Sequence, residues 1–212
     1  MRWKIRWTTE NVFLLSGIGI ILLGWLADYI GLIVLHEAPV TNGHGAGNII
    51  SRLFFTLFGL FFAAGGAAYE NLDRFLTDSK FTKRYLLQTL FILDGALHLF
   101  AMNDHLNESL LEAAFFAVIA PIQIGIGVLI PRLPAKYDPY LLAWPVFLIG
   151  IALLSQVVIL WPLSALENIY DLWVVSKLTE ALMIPVLLSV MKDDGTLNLQ
   201  SFKRAALAMV AR

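Results

Sequence analysis

Cysteine is absent from the 212 residues, and with it go disulfides, thiolate metal sites and a thiol nucleophile. Any metal held by this chain rests on nitrogen and oxygen donors. Charge is scarce as well: 15% of residues are charged and 58% hydrophobic, against roughly a quarter and about half in soluble domains. The formal net charge of -1 leaves no concentrated basic surface for a phosphate backbone, which excludes nucleic acid as a partner. The GxxxxGK[ST] nucleotide loop, the HExxH pair and a Ser-His-Asp arrangement are missing too, so no motif assigns an enzymatic activity.

What the chain has is long apolar runs. Crossing a bilayer core takes about 20 mostly apolar residues in a helix, and only helices or closed barrels satisfy their backbone groups there. The runs are too long for barrel strands and predict six spans, at about residues 11–35, 50–70, 85–103, 109–130, 140–161 and 170–191. The expected fold class is an all-α integral membrane protein, a bundle of six transmembrane helices forming one domain over residues 1–192. The chain begins with a basic segment and an apolar run, but that run is too long for a signal peptide and no small-x-small cleavage site follows, so it is expected to stay as the first span. Residues 193–212 are expected to form a cytoplasmic amphipathic tail, with Leu199, Phe202, Ala206 and Met209 on one side.

Lysine and arginine alternate between the loops. Arg2, Lys4 and Arg6 precede the first span; Arg74, Lys80, Lys83 and Arg84 follow the second; Arg132 and Lys136 follow the fourth; Lys192, Lys203 and Arg204 follow the sixth. The loops HEAPVTNGHGAGN, AMNDHLNE and PLSALEN contain neither residue. Because short cytoplasmic loops collect basic residues, both termini are expected on the cytoplasmic side. The run GLFFAAGGAAYE at 59–70 predicts close helix packing and a central place for the second span.

Ionisable groups inside spans are costly to insert and tend to face a partner or a wet cavity. Asp94, Gln123, Lys177 and Glu180 fall near the midplane; Asp28 and His98 lie further out; His36, Asp104, His105 and Glu108 reach the outer rim. Asp94 and His98 are four apart and share a helix face. A tight hairpin through AMNDHLNE is expected to bring His105 and Glu108 back beside His98. Two imidazoles and two carboxylates suit Cu, Zn or Fe, so Asp94, His98, His105 and Glu108 form the candidate metal set, and His36 is the candidate second axial ligand of a haem. The competing expectation is a plain polar hairpin, with Asp94 hydrogen-bonded to a neighbouring helix.

Lys177 and Glu180, three apart, are expected either to neutralise each other or to relay protons with Asp94, since desolvated carboxylates and lysines exchange protons near neutrality. Asp28 is expected to join Lys177 or to cap the outer cavity. Gln123 follows Pro121 by two positions and is expected to bond a carbonyl freed by the proline.

The segment HLFAMNDHLNESLLEAAFFAVIAPIQ at 98–123, followed by WVVSK at 173–177, resembles small uncharacterised polytopic membrane proteins of prokaryotes that share a His-x6-His-x2-Glu hairpin, a Phe-Phe pair and a later Trp-x-x-Ser-basic element. The resemblance covers about the second half of the chain. It implies the same bundle in a prokaryotic cytoplasmic membrane and points to His98, His105, Glu108, Gln123 and Lys177. The Asp-x-x-x-His element is also similar to one in the membrane copper subunit of particulate methane and ammonia monooxygenases, but Leu111 stands where that family carries its further histidine, so the chain is not assigned to it.

Three function classes fit these groups: a metal- or haem-binding membrane protein, as a subunit of an oxidoreductase complex; a small proton-coupled permease or ion carrier using Asp94, Lys177 and Glu180; and a structural or assembly subunit of a membrane complex.

Overall fold

The apolar runs fold as helices. A computed structural model describes residues 7–36, 45–159 and 171–197, with the backbone alone at 155–159. Helix α1 covers Thr9–Tyr29 and continues through a π-helical turn, Ile30–Val34; α2 covers Ile49–Thr77, α3 Ser79–His105 and α4 Leu110–Leu129. Two short 3-10 segments, Ile130–Arg132 and Ala135–Tyr137, lead into α5, Asp138–Ile159, and α6 covers Asp171–Asp193. No strand occurs among the described residues. Among the described residues, six helices are long and apolar enough to cross a membrane, as expected. The proposed tail from residue 198 onward, with its spaced Leu199, Phe202, Ala206 and Met209, lies outside the described residues.

The second and third helices run further toward each other than hydropathy suggests, with Asp78 alone between them. Past the apolar part of α2, Asn71 departs from helical geometry at φ -133 and ψ 26. Its side-chain nitrogen donates to the Ala67 carbonyl at 3.2 Å, covering a backbone group that the kink exposes.

The chain divides into two compact units, residues 1–79 with 92–125 and residues 80–91 with 126–212; α3 is continuous and contributes to both. In the first, α1 and α2 approach at their backbones. A Cβ added at Gly17 would collide with the Gly59 carbonyl, and one at Gly59 with the Gly17 carbonyl. This is the small-residue packing by which helices associate without a hydrophobic driving force. Phe13 and Phe62 stack at 5.0 Å beside that seam. Thr8 caps α1 by accepting from the Asn11 amide at 3.3 Å, and Glu70 accepts from the Thr9 amide at 2.6 Å, a carboxylate placed where the helix dipole favours it.

The second unit packs Leu87, Phe91, Ile130, Met183 and Leu187, all fully buried, into one apolar cluster. At one edge of it, Arg84 donates to both Asp138 oxygens at 2.9 and 3.1 Å, to Asp194 at 2.7 Å and to the Ile130 carbonyl at 3.3 Å. Lys83 pairs with Asp193 at 2.6 Å, and Lys80 pairs with Asp194. Together these bonds tie the start of α3 to the start of α5 and the end of α6.

The small-residue run of α2 packs as expected, but α2 is not the most buried helix. Only 28% of its apolar window is buried, against 78% for α3. The reason lies in composition: α3 is the least hydropathic of the six, and its Gln88, Asp94, His98 and Asn103 are buried, where neighbouring helices can offer them hydrogen-bond partners.

Candidate functional site

Helix α3 carries Asp94, His98, Ala101 and His105 on one stripe, since three- and four-residue steps return to the same face. Asp94 is wholly buried and His98 nearly so. From α4, Gln123, also wholly buried, donates its side-chain nitrogen to Asp94 Oδ2 at 2.5 Å and places its side-chain oxygen 2.9 Å from His98 Nδ1. The amide orientation sets the protonation of the ring: with the nitrogen committed to the carboxylate, the oxygen accepts, so His98 Nδ1 carries the hydrogen. A neutral His98 therefore presents an unprotonated Nε2, the form in which imidazole serves as a base or a metal ligand. A carboxylate oxygen of Asp94 and a ring nitrogen of His98 lie within 4.8 Å of each other.

Gln123 is thus not used on a carbonyl freed by Pro121. Helix α4 continues through that proline, and the glutamine amide serves as a bridge between two ionisable side chains.

The hairpin does bring α4 back beside α3, but it does not bring His105 and Glu108 to His98. The turn occupies residues 106–109, closed by the Ser109 amide donating to the His105 carbonyl at 2.8 Å, and Glu108 is left exposed. His105 directs Nδ1 to the Ala101 carbonyl at 2.8 Å and Nε2 to Glu112 at 2.9 Å. His98 and His105 stand two turns apart on α3, about 10 Å along its axis. The Phe116 ring lies 5.4 Å from the first imidazole and 5.2 Å from the second, filling the space through which the two would have to meet. Of the four residues named for a metal, two come together.

A second polar cluster occupies the end of the same unit near the turn between α3 and α4. Arg52, on the first turn of α2, donates from Nε and Nη2 to Asp28 at 3.1 and 3.0 Å, and from Nη1 and Nη2 to Asp104 at 2.8 and 2.6 Å. Asp28 also accepts from the Gly47 amide at 2.8 Å and from Asn103 at 2.9 Å. The partner of Asp28 is therefore not Lys177 but a guanidinium whose planar fork matches two carboxylates, and Asp28 lines the adjoining cleft. Beside this cluster lies a cleft of about 400 Å³, lined on its apolar side by Gly24, Ile30, Leu35, Phe55 and Phe100.

His36 sits just past the π-helical turn at a left-handed φ of 54, exposed, with Nδ1 3.2 Å from the Val34 carbonyl. It is not a buried axial position of the kind a haem requires. In the second unit Lys177 pairs with Glu180, a wholly buried carboxylate, which is the mutual neutralisation expected from their spacing.

Arg52, Asn103, Glu112 and Phe116 were not singled out from the sequence. Arg52 had a signal: it is a basic residue four positions into a span that follows an otherwise base-free loop. Glu112 had one as well, seven residues after His105 and across a tight turn. No family model, no curated protein and no solved structure matches the chain.

Proposed function

We propose that this chain is a multi-pass integral membrane protein, with six spans and both termini cytoplasmic, that binds a transition metal at Asp94 and His98. Support for insertion comes from large apolar side chains that face outward in numbers a water-soluble protein does not tolerate, among them Phe61 at 74% and Leu111 at 82% exposure. Support for orientation comes from the alternation of basic and base-free loops. Arg52, the basic residue at an outer end, is neutralised by Asp28 and Asp104, so it does not oppose that assignment.

The observation that carries the metal assignment is the Gln123 bridge. One amide holds a carboxylate oxygen of Asp94 and sets which nitrogen of His98 carries hydrogen, so the proposal assigns an Asp94 oxygen and His98 Nε2 to the metal. Metal-binding histidines are held in this way, by a hydrogen bond at the nitrogen that does not ligate. Nitrogen and oxygen donors without sulfur suit Zn, Cu or Fe, and a bound cation stabilises the charged form of a carboxylate buried among helices. The place of such a site in a membrane oxidoreductase complex belongs to the same proposal. The resemblance of residues 98–123 and 173–177 to prokaryotic polytopic proteins fits it and adds no activity.

Elemental analysis of protein purified without chelator tests the assignment. One ion per chain is expected in the wild type, lost in His98→Ala and Asp94→Asn and retained in His105→Ala. Folded, stable wild-type protein without metal overturns it, and directs attention to a proton-coupled carrier using the same Asp94.

A further inference from the structure

The cleft beside Arg52, about 400 Å³ in volume, falls in the size range of small-molecule pockets, which combine apolar walls with a few fixed polar groups. Its walls come from three helices of the first unit: Ile30 and Leu35 at the π-helical turn, Phe55 on α2 and Phe100 on α3. A π-helical turn is an uncommon wall, and such turns recur at functional sites. Phe55 sits hard against α1 because residue 24 is glycine, where an added Cβ would lie 2.5 Å from its side chain. Ile30 and Leu35 are exposed, so the rim is apolar. At the other side the Phe100 ring centroid lies 5.4 Å from Arg52 Cζ, and the apolar wall adjoins the charged group directly.

That charged end offers hydrogen-bond donors, while Asp28 has no acceptor capacity left. Asp28 Oδ1 accepts from the Gly47 amide and Arg52 Nε, and Oδ2 accepts from Arg52 Nη2 and Asn103, which fills two lone pairs on each oxygen. Of the five N–H groups of Arg52, four go to Asp28 and Asp104. The second hydrogen of Nη1 has no partner among the described residues, although the side chain is almost fully buried. Ser51, also on the cleft, uses its backbone amide on Asn48, and its hydroxyl makes no hydrogen bond among the described residues. Donors left in this state on a buried wall favour a ligand that accepts from them.

We propose that this cleft binds an uncharged, lipid-soluble molecule through a carbonyl oxygen, with Ser51 and Arg52 donating to the oxygen and the apolar body lying against Ile30, Leu35 and Phe55. An anionic head is disfavoured, because Asp28 and Asp104 already stand against one guanidinium. A cationic head finds both Asp28 oxygens filled. A membrane holds the required chemistry in two forms, the ring carbonyl of a quinone and the ester carbonyl of a glycerolipid. The inference rests on the reading of the chain as a membrane protein, which gives such molecules access to the exposed rim, and it uses neither Asp94 nor His98.

Full-length protein in dodecyl maltoside micelles is to be irradiated with three probes that share one diazirine-bearing chain: a benzoquinone, a phosphatidylcholine, and an alkylbenzene with no carbonyl. Saturable labelling, mapped by peptide mass spectrometry to residues 30–35 and 51–55, is expected for the benzoquinone or the phosphatidylcholine, and at least tenfold less for the alkylbenzene. Whichever carbonyl probe saturates at the lower concentration identifies the source. Ser51→Ala should weaken labelling by roughly 3–10-fold, the worth of one hydrogen bond. Ala27→Phe, at an exposed position on the cleft, should fill it and abolish labelling, while Leu111→Phe, exposed on α4, should change nothing. Equal labelling by the carbonyl-free probe, or labelling indifferent to both cleft variants, overturns the proposal. Retention of the chain in alkali-washed membranes tests the membrane reading separately, and metal content unchanged in Ser51→Ala keeps the cleft distinct from the metal assignment.

Discussion

Arg52 grips Asp28 through two parallel hydrogen bonds, Nε to Oδ1 at 3.1 Å and Nη2 to Oδ2 at 3.0 Å, joining α1 and α2 above the glycine seam. Both side chains are almost fully buried. Arg52→Met is expected to destabilise the protein by about 3–5 kcal/mol, because it strands a buried carboxylate. Arg52→Lys should recover little of that, since a single ammonium cannot reproduce the fork that also holds Asp104. Unfolding in mixed micelles measures both; a lysine variant as stable as the wild type contradicts the bidentate account.

Gln123→Leu keeps the volume of the side chain and removes the bridge. Asp94 and His98 remain but lose the bonds that orient them, so metal affinity is expected to fall by roughly 10–100-fold while folding is retained. Titration of the chelator-stripped protein with Zn checks this. Unchanged affinity would mean that the amide does not position the donors.

Lys177 neutralises a wholly buried Glu180 within one helix. Lys177→Met is expected to lower stability by about 3 kcal/mol, and the double variant Lys177→Met, Glu180→Leu to recover most of the loss, as replacement of a buried pair by apolar groups commonly does. Additive losses in the two single and the double variants would show that the residues act independently.

Asp194 lies beyond the end of α6. Burial alone would raise its carboxyl, but hydrogen bonds from Lys80 and Arg84 outweigh it and hold the group below the ordinary 3.8. A depressed folded-state value contributes stability that is complete above the unfolded value and is lost as pH falls through the folded one. The wild type should therefore lose stability on acidification below about pH 4, and Asp194→Asn, less stable at neutrality, should lose less over that window. Melting temperatures at pH 7, 4 and 3 test the difference; parallel declines would exclude Asp194 as a contributor.

The absence of cysteine leaves no labelling background. Asn107→Cys, in the exposed turn after α3, is expected to react with an impermeant thiol reagent applied to intact cells. Ser79→Cys, exposed at the first residue of α3, is expected to react only after the membrane is opened. Labelling of Ser79→Cys alone from outside would invert the orientation.

Six apolar helices and the alignment of Asp94 with His98 follow from the sequence by itself, because length, hydropathy and the four-residue step are properties of one segment at a time, whereas the polar ends of α2 and α3 run beyond what hydropathy marks. The pairing of Lys177 with Glu180 is legible for the same reason. Which residues face one another across helices is not local. The turn at 106–109 sets where α4 begins, and so brings Glu112 to His105, leaves Glu108 in solvent and places Phe116 between two imidazoles predicted to converge. Gln123 reaches Asp94 and His98 from 29 and 25 residues away, and Arg52 reaches Asp28 across a seam that exists because two glycine backbones touch. Rotation of each helix about its axis and the depth of its approach are decided by packing among helices, and those two quantities determined the partners of nearly every buried ionisable group here.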